Sequence, residues 1–343
     1  MNRHLLLPLA ALCLMAAACA QGTTDSTGQA ASEYLSLWME KYHPGITATD
    51  GIYILEDTPG SGDLFDSEND YVYASSTIRS LSGAISSSTE ESIAKQLGTY
   101  VLGNYYGPKY QIVGEGYSYA GVDALLKGMR IGGTRTAVIP AWLLTTARYG
   151  TAQEYLDACS KSTSLIYTVT LKGQTDDIDQ HEQDSLSRYV QRVYGDIEPT
   201  LYITEEDEEM EGIFYFLSDT APFEGKTEFP RDTTLHLDYT GRLLNGQIFD
   251  TTDEIVAKDA GIYKESKTYD PVSITYAEKY TDIKMGDSSS MVNGFKGGLS
   301  LMRWVGQKAI ILFTSPQGYG ADGNGNVIPA YSPLIFELEI VED

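Results

Sequence analysis

The aromatic–carboxylate pair Phe249–Asp250 is the first candidate for a functional site in this sequence. It lies in the stretch "LNGQIFDTT" (244–252), whose frame of Leu, Gly, Ile and Thr occurs once before, in "LSGAISSST" (81–89). The earlier stretch has Ser86–Ser87 in place of the pair. Because only one of two similar frames contains the pair, the shared residues indicate a common fold and the pair indicates a site that only one copy carries. Its chemistry would be that of an apolar aromatic surface with one ionisable group.

Other residue types with catalytic or metal-binding chemistry are scattered or incomplete. Cys159 has no nearby His, and the four His residues (4, 43, 181 and 236) lie far apart, which disfavours a Cys nucleophile and a zinc site. The stretch "DGNGN" (322–326) opens like a calcium loop. However, Val327 occupies the position of the required Gly, and Pro333 that of the terminal Glu. We therefore predict no metal and no cofactor.

Length and charge restrict the classes of function. A chain of 343 residues suits two domains rather than one. The formal net charge of −24 disfavours a nucleic-acid partner, because phosphates attract Lys and Arg. Part of the acidity is local, since "EEDEEME" (205–211) has the composition of a solvated link.

The N-terminus has the features of an export signal, which we predict over residues 1–18. Arg3 supplies a positive charge, and the apolar stretch Leu5–Met15 has signal-peptide length, too short to span a bilayer as a helix. This pattern predicts a protein of the bacterial cell envelope.

The end of this signal resembles the lipobox of bacterial lipoproteins. In "AAAC" (16–19), Ala16 departs from the usual Leu, and the resemblance implies a lipid on Cys19. The protein would then be periplasmic and anchored to a membrane, with the outer membrane preferred. The alternative is ordinary cleavage after an Ala-x-Ala site, which would leave a soluble periplasmic protein. The small, polar residues 19–30 are typical of a flexible tether.

The similarity between the two frames extends in both directions, as four matches in the same order. The matched stretches are 50–63 with 211–226, 70–85 with 233–248, 121–139 with 294–312, and 164–173 with 333–342. Their spacing changes only by loop-sized amounts, which indicates a duplicated domain. We predict a first domain with a leading helix over 31–173, a helical and acidic linker over 174–211, and a second domain over 212–343.

The elements around Phe249–Asp250 are mainly β. Residues 235–239 alternate apolar and polar side chains, as in a strand with one buried face. Between two later strands lies one short helix, with Phe295, Leu299 and Met302 on one side. An α+β fold fits this pattern: a twisted antiparallel sheet half-wrapped around a short helix, with a pocket where they meet. Helical spacing at 32–43 and 184–195 predicts an extra helix before each repeat.

Three motifs of the second repeat together resemble the FKBP-type peptidyl-prolyl cis-trans isomerases. They are "DYTGRLLNGQIFDTT" (238–252), "MVNGFKGGLSLMRWVGQKA" (291–309) and "GYGADGNGNVIPAYSPLIFELEI" (318–340). They occur in the order and approximate spacing of the family, and the resemblance covers 211–343. It implies the same fold in both repeats, with a hydrophobic pocket between the sheet and the short helix.

The resemblance also implies a set of site residues. Catalytic roles would fall to Tyr239, Phe249, Asp250 and Tyr319, and substrate-binding roles to Val292, Phe295, Val327, Ile328 and Phe336. Two departures stand out. Phe295 replaces the Trp of the family, which makes a smaller pocket floor. The segment after Asp250 is longer than in minimal members, so the wall residue there could be Val272 or Ile274.

The chemistry implied by the resemblance suits these residue types. An X-Pro bond isomerises over a barrier of about 18–20 kcal/mol. Its twisted transition state has a less polar carbonyl group, so an apolar pocket stabilises it relative to water. Phe249, Phe295 and Phe336 would hold the proline ring. The N–H group of Val292 or Ile328 and the Tyr319 hydroxyl would hold substrate carbonyls.

Asp250 would be the polar exception in this pocket. The resemblance implies that it acts electrostatically and by orientation, through a bond to Tyr239, rather than as a general base. The simpler alternatives remain open. Taken singly, the aromatic residues could be ordinary core, and Asp250–Thr252 could be a turn.

The first repeat lacks most of these site residues. Ser76 replaces Tyr239, Ser86–Ser87 replaces Phe249–Asp250, and Val122 replaces Phe295. Tyr149–Gly150 remains, but no Val-Ile-Pro stretch follows it. We therefore predict that the first repeat is catalytically inactive.

These observations predict a prolyl isomerase that assists the folding of exported envelope proteins. Its partners would be proline-containing polypeptides, with a macrolide as a further candidate ligand and a membrane contact through the N-terminal lipid. The first repeat would bind clients or place the active domain away from the membrane. The alternatives are a non-catalytic FKBP-fold binding or chaperone lipoprotein and a periplasmic structural subunit.

Overall fold

The computed structural model describes residues 26–66, 70–158, 163–200, 212–218, 228–277, 279–286 and 291–342. The predicted signal peptide, Cys19, Cys159 and the acidic stretch 205–211 lie outside these ranges. Within them, no helix combines the length and the apolar composition that crossing a bilayer requires.

The first half of the molecule, residues 26–175, forms one antiparallel sheet with flanking helices. Its elements are α1 (Ser26–Tyr42), β1 (Tyr53–Thr58), β2 (Tyr71–Ser80), β3 (Ile85–Ser88), α2 (Glu91–Gln96), β4 (Lys109–Ile112), α3 (Ala120–Leu126), β5 (Thr134–Ile139), α4 (Ala152–Asp157) and β6 (Leu165–Thr175). The strand order is β1-β5-β6-β2-β3, and β4 pairs with β2.

The second half, residues 212–342, repeats this arrangement after a linking helix. The elements are α5 (Ile178–Tyr194), β7 (Phe214–Ser218), β8 (Thr233–Leu243), β9 (Ile248–Thr251), α6 (Glu254–Asp259), β10 (Val272–Tyr276), β11 (Lys284–Met285), α7 (Asn293–Leu301), β12 (Lys308–Phe313) and β13 (Leu334–Val341). The order is β11-β10-β8-β13-β12-β7, and β9 pairs with β8. Apart from β11, each strand has a counterpart in the first sheet. The predicted α+β class with two antiparallel sheets is confirmed.

Helix α7 packs against one face of the second sheet. Phe295, Leu299 and Met302 are buried, as their spacing predicted. The helix approaches the sheet closely because it carries Gly at the contact. A Cβ atom on Gly294 would lie 2.4 Å from Cγ of Phe313 in β12.

The predicted leading helices cover the other face of each sheet. In α1, Leu35 and Met39 pack with Val138 of β5. In α5, Leu186 and Val190 form a separate buried cluster with residues of the second sheet. The second sheet therefore has helices on both faces, which explains why the successive residues Ile311, Leu312 and Phe313 of β12 are all buried.

Two boundaries differ from those predicted. Helix α1 begins at Ser26, so residues 26–30, predicted as tether, are helical. Small side chains such as Ala and Gly occur in both settings, and composition alone did not separate them. Strand β6 ends at Thr175, two residues beyond the predicted boundary.

Candidate active site

A cavity of about 490 Å³ opens between β8, β9, β13 and the start of α7 in the second half. All nine predicted site residues line it. The lining residues are Tyr239, Phe249, Asp250, Lys264, Met285, Met291, Val292, Phe295, Tyr319, Asn324, Val327, Ile328 and Phe336. The structure thus brings the predicted set together, while the roles of its members in binding and catalysis stay a prediction.

The floor of the cavity is a cluster of aromatic rings. Phe295 of α7 and Phe336 of β13 meet edge to face, with ring centroids 4.8 Å apart. Phe249 contacts Phe336 at 5.4 Å, and Tyr239 contacts Phe295 at 5.5 Å, both also edge to face. This geometry is favourable for aromatic pairs and holds each ring in place. Phe295 is 3% exposed, so it supports the floor from below.

Gly241 in β8 makes room for this cluster. A Cβ atom there would lie 2.5 Å from Cε2 of Phe249 and 2.8 Å from Cε1 of Phe336. Any side chain at this position would displace both rings. The apolar floor therefore depends on a residue that does not itself line the cavity.

Asp250 contributes a carboxylate to the cavity, and several donors hold it. The Tyr239 hydroxyl donates to its Oδ2 at 2.7 Å. The Lys267 ammonium forms an ion pair with Oδ1, and the Thr251 N–H group donates to the same oxygen at 3.0 Å. Burial, and next the charge of Asp250, raises the pKa of Tyr239. The phenol therefore stays protonated and keeps donating at physiological pH. The bond expected between Asp250 and Tyr239 is present.

Lys267 was missed by the sequence reasoning. It also donates to the Thr251 carbonyl oxygen at 2.9 Å, so its ammonium group bridges two adjacent residues. Two Lys residues, 264 and 267, lie in the same loop, and both approach the site: Lys264 lines the cavity, and Lys267 pairs with Asp250. Their spacing in the sequence does not indicate which of the two lines the cavity and which pairs with Asp250.

The wall of the cavity differs from that expected. Neither Val272 nor Ile274 is among the lining residues; Ile274 is 1% exposed and belongs to the core. Met285 supplies the wall instead. It lies on the two-residue strand β11, opposite Ile274 of β10, so the longer segment adds a strand outside the predicted one.

The "DGNGN" stretch forms the tip of a tight loop, here called the flap (322–329). The N–H group of Asn324 donates to Ile328 O at 2.8 Å, and Ile328 N–H returns a bond to Asn324 O at 3.2 Å. Gly323 and Gly325 have φ of +63° and +58°, which favours Gly at both positions. This turn presents Val327 and Ile328 to the cavity.

The first half contains the same framework without the site. The sequence from Ser76 to Lys109 aligns with Tyr239 to Val272 without a gap. In that alignment Ser87 replaces Asp250 and Asn104 replaces Lys267. Ile78 stands where Gly241 makes room for the rings. All three members of the Tyr–Asp–Lys group are therefore replaced, and the space beside them receives a larger side chain.

The model of the FKBP-type peptidyl-prolyl cis-trans isomerase family matches residues 225–341. FK506-binding protein 1A of Aspergillus fumigatus is 32% identical over 118 residues, covering 33% of this chain and 81% of the relative. An FK506-binding protein of Neisseria meningitidis is 29% identical over 112 residues, covering 33% of this chain and 79% of the relative.

Solved structures give weaker matches. A peptidyl-prolyl cis-trans isomerase from Pseudomonas syringae pv. tomato matches with 20% identity and a TM-score of 0.28, covering 49% of this chain and 97% of that one. The three FKBP domains of wheat FKBP73 match with 14% identity and a TM-score of 0.26, covering 85% and 94%. The match to the family model and the 32% identity to the fungal relative show that this chain belongs to the FKBP-type peptidyl-prolyl cis-trans isomerase family.

Proposed function

We propose that the second half is an active peptidyl-prolyl cis-trans isomerase that assists the folding of proteins exported to the bacterial cell envelope. One observation carries the enzymatic part: a cavity floored by aromatic rings is lined by the carboxylate of Asp250, the one acidic group among its described lining residues, and both oxygens of that group are occupied by donors. An export role is supported by the N-terminal sequence, with its apolar stretch and "AAAC" motif.

The substrate would enter with its proline ring on Phe295 and Phe336. Twisting the X-Pro amide breaks its resonance, and the uncatalysed reaction takes tens to hundreds of seconds. The apolar floor stabilises the less polar, twisted form more than water does, which lowers the barrier. No proton has to move in this step, and no group has to attack the substrate.

Asp250 would contribute through its position. Its Oδ2 accepts a hydrogen bond from Tyr239, and its Oδ1 is occupied by the Thr251 N–H group and the Lys267 ammonium. Asp250 is therefore poorly placed to act as a base. The bond from Tyr239 instead fixes that ring at the cavity edge. The Lys267 ammonium partly balances the carboxylate charge beside the apolar floor.

The N-terminus would act as a short anchor. If Cys19 carries a lipid, six residues separate it from the start of α1 at Ser26. A fully extended chain of this length reaches about 25 Å. The first half would then sit close to the membrane, and the second half would be held beyond it. A lipid mass shift on the N-terminal peptide would test this assignment.

A protease-coupled assay of cis-to-trans conversion in an Ala-Pro peptide tests the enzymatic proposal. Wild type should accelerate conversion, and Phe249→Ala should remove most of the acceleration because it deletes part of the ring floor. Ser86→Ala, at the matching position of the first half, is the control and should leave the rate unchanged. Absence of acceleration by wild type would favour the alternative of a non-catalytic binding or chaperone lipoprotein.

The curated relatives carry FK506 binding in their names. A macrolide is accordingly a candidate ligand of the same cavity in this chain. FK506 should inhibit isomerisation by wild type. Gly241→Ile should abolish FK506 binding, because the new side chain would displace Phe249 and Phe336.

A further inference from the structure

A loop of the first half reaches across to the second half beside the candidate active site. Its central residues, Leu102–Tyr105, lie between α2 and β4 and are here called the arm. We propose that the arm positions the flap and rim of the isomerase pocket, with Tyr105 as a positioning residue for prolyl substrates. This inference rests on the proposed isomerase function and assigns a role to the half that lacks the pocket.

The contact between the arm and the flap is a backbone hydrogen bond. The Tyr105 N–H group donates to Asn326 O at 2.7 Å. Asn326 is exposed at the flap tip, and the next two residues, Val327 and Ile328, line the cavity. A bond that holds Asn326 therefore limits the movement of the two flap residues expected to meet the substrate.

The Tyr105 side chain reinforces this contact. Its ring packs against the hydrophobic core cluster of the second half. Its hydroxyl donates to the carbonyl oxygen of Pro108 at 2.9 Å, within its own half. The ring is thus held by one half while it packs against the other, as a rigid connection between them requires.

The arm also contacts two other segments, each of which leads within three residues to a lining residue of the pocket. Gln247 Nε2 donates to Gly103 O at 3.0 Å, and Gln247 lies two residues before Phe249. Leu102 lies directly on the backbone of Gly261, where an added Cβ atom would be 2.1 Å from Leu102 Cδ2. Three separate segments near the pocket (the β8–β9 turn, the loop after α6 and the flap) therefore meet the same arm.

The base of the arm is well fixed in the first half. Tyr100 and Tyr106 stack with ring centroids 5.3 Å apart, and the Tyr106 hydroxyl accepts a bond from the Val101 N–H group at 2.9 Å. The Gly107 N–H group donates to Thr89 O at 2.8 Å. The arm is therefore a braced loop that can transmit its position to the flap.

The matching loop of the second half supports this assignment. It has the same stacked pair, Tyr263 and Tyr269, at 5.2 Å. There the loop serves its own pocket, because Lys267 pairs with Asp250. In the first half Asn104 occupies the equivalent position, and its neighbours Gly103 and Tyr105 contact Gln247 and Asn326, which lie close in sequence to lining residues of the other half's pocket. Equivalent loops of the two halves therefore both contact segments of the second half around the same pocket.

Restraint of the flap before binding should act on substrate affinity. A preorganised site loses less conformational freedom when the substrate binds. Among the described residues, the arm's hydrogen bonds to the second half go to Asn326 and Gln247, and none goes to Tyr239 or Asp250 beside the twisted amide. Loss of the arm contacts is therefore expected to raise KM and to leave kcat nearly unchanged.

The test measures kcat and KM for a prolyl peptide together with hydrogen exchange of the flap amides. Tyr105→Ala should raise KM about three- to tenfold, which lies within the range for residues that couple sites without touching the ligand, and should speed exchange at residues 324–328. Gln247→Ala should act in the same direction and more weakly. Tyr105→Phe keeps the ring packing and should retain most of the wild-type KM. Tyr117→Ala, at a site 72% exposed in the first half, is the matched control.

The outcomes separate this inference from the proposed function. If wild type isomerises the peptide and Tyr105→Ala matches Tyr117→Ala in KM and in flap exchange, the arm has no positioning role. A fall in kcat at unchanged KM would equally overturn it. If wild type has no isomerase activity, the proposed function fails, and flap exchange alone still decides whether the arm holds the flap.

Discussion

The two halves of the molecule share a framework and differ at one site. A hydroxyl pair joins the strands that carry the site in the second half, Thr240 to Thr251 at 2.8 Å, and another joins their counterparts in the first half, Thr77 to Ser88 at 2.9 Å. Both halves also place a bulge at the same point of this strand pair. These shared contacts involve backbone and small polar groups, which the fold needs whatever the pocket does. Scaffold and site are therefore separable in this chain.

The differences between the halves are coordinated. Ser76, Ser87 and Asn104 could not form the hydrogen-bonded and ion-paired group of the second half, since no carboxylate or ammonium remains among them. Replacing only one member would have left a charge or a buried hydroxyl without its partner, which is unfavourable. The joint replacement leaves no such group. The first half is thus a stable framework in which the pocket positions carry other side chains.

Gly241→Ile should have the largest effect, because it gives the second half the residue found at position 78. Its Cβ atom alone would lie 2.5 Å from Phe249, so the ring floor would have to move. We expect a loss of kcat/KM of at least about 100-fold and a destabilisation of about 1–3 kcal/mol from overpacking. The measurements are the coupled peptide assay and urea unfolding.

The reciprocal change, Ile78→Gly, is the control for this comparison. It should create no isomerase activity, because Ser76 and Ser87 still replace the polar group. Retention of most of the activity by Gly241→Ile would show that the ring floor is not the part of the site that matters.

Asp250→Ser should have the next largest effect. It removes the acceptor of the Tyr239 hydroxyl and the partner of Lys267 at once. Leaving such groups without a partner costs about 1–3 kcal/mol, so kcat/KM should fall about tenfold to 100-fold. Ser87→Ala in the first half is the matched control and should leave kcat/KM unchanged. Equal activity in wild type and Asp250→Ser would mean that the apolar floor is sufficient for catalysis.

Much of this site followed from sequence, and the reasons are specific. Phe249, Asp250 and the flap pair Val327–Ile328 lie within motifs whose order matches one family, so the sequence alone is enough to assign them. Helical spacing placed Phe295 on the buried side of α7, and the resemblance to the family assigned it to the pocket floor.

The residues that were missed depend on contacts across loops. Lys267 reaches Asp250 from a loop whose path has no periodic pattern, and Met285 lies on a two-residue strand too short to give one. The arm could not be predicted at all, because it depends on how the two halves face each other. Local sequence patterns indicate which helix or strand a residue belongs to, whereas contacts between helices, strands and loops depend on how the whole chain packs.

Lys267→Asn gives the second half the residue found at position 104 and should have a smaller effect. The pair with Asp250 is partly solvated, since the Lys267 and Asp250 side chains are 31% and 43% exposed. Pairs of this kind contribute about 0–1 kcal/mol, so kcat/KM should fall no more than about fivefold. Raising the salt concentration should reduce the difference between wild type and the variant, because salt screens the pair. A loss as large as that of Asp250→Ser would show that the ammonium group acts directly on the substrate.

The smallest effect on activity is expected from a difference outside the pocket. It concerns the side chain that holds the turn after β5 in the first half and the turn after β12 in the second. In the first half, Ser164 Oγ accepts a bond from the Ala141 N–H group at 3.2 Å. In the second half, Glu182 of α5 accepts bonds from the Ser315 N–H group and from Ser315 Oγ, both at 2.6 Å. The N–H group of the turn is therefore bonded by a buried carboxylate of the linking helix in the second half and by a neutral hydroxyl in the first.

This difference predicts a pH dependence of stability with a definite sign. Burial raises the pKa of Glu182 above its ordinary value of 4.5, against the opposing effect of the Ser315 bonds. Between 4.5 and the raised pKa, the native state binds more protons than the unfolded state, so this residue makes the free energy of unfolding decrease as pH rises. Glu182→Gln should remove that contribution, whereas Ser164→Ala should lower stability by about 1 kcal/mol at every pH. Urea unfolding of the three proteins from pH 4 upwards measures the slopes. Parallel curves for wild type and Glu182→Gln would mean that Glu182 titrates alike in the native and unfolded states, and that the carboxylate acts on the turn as the neutral hydroxyl does.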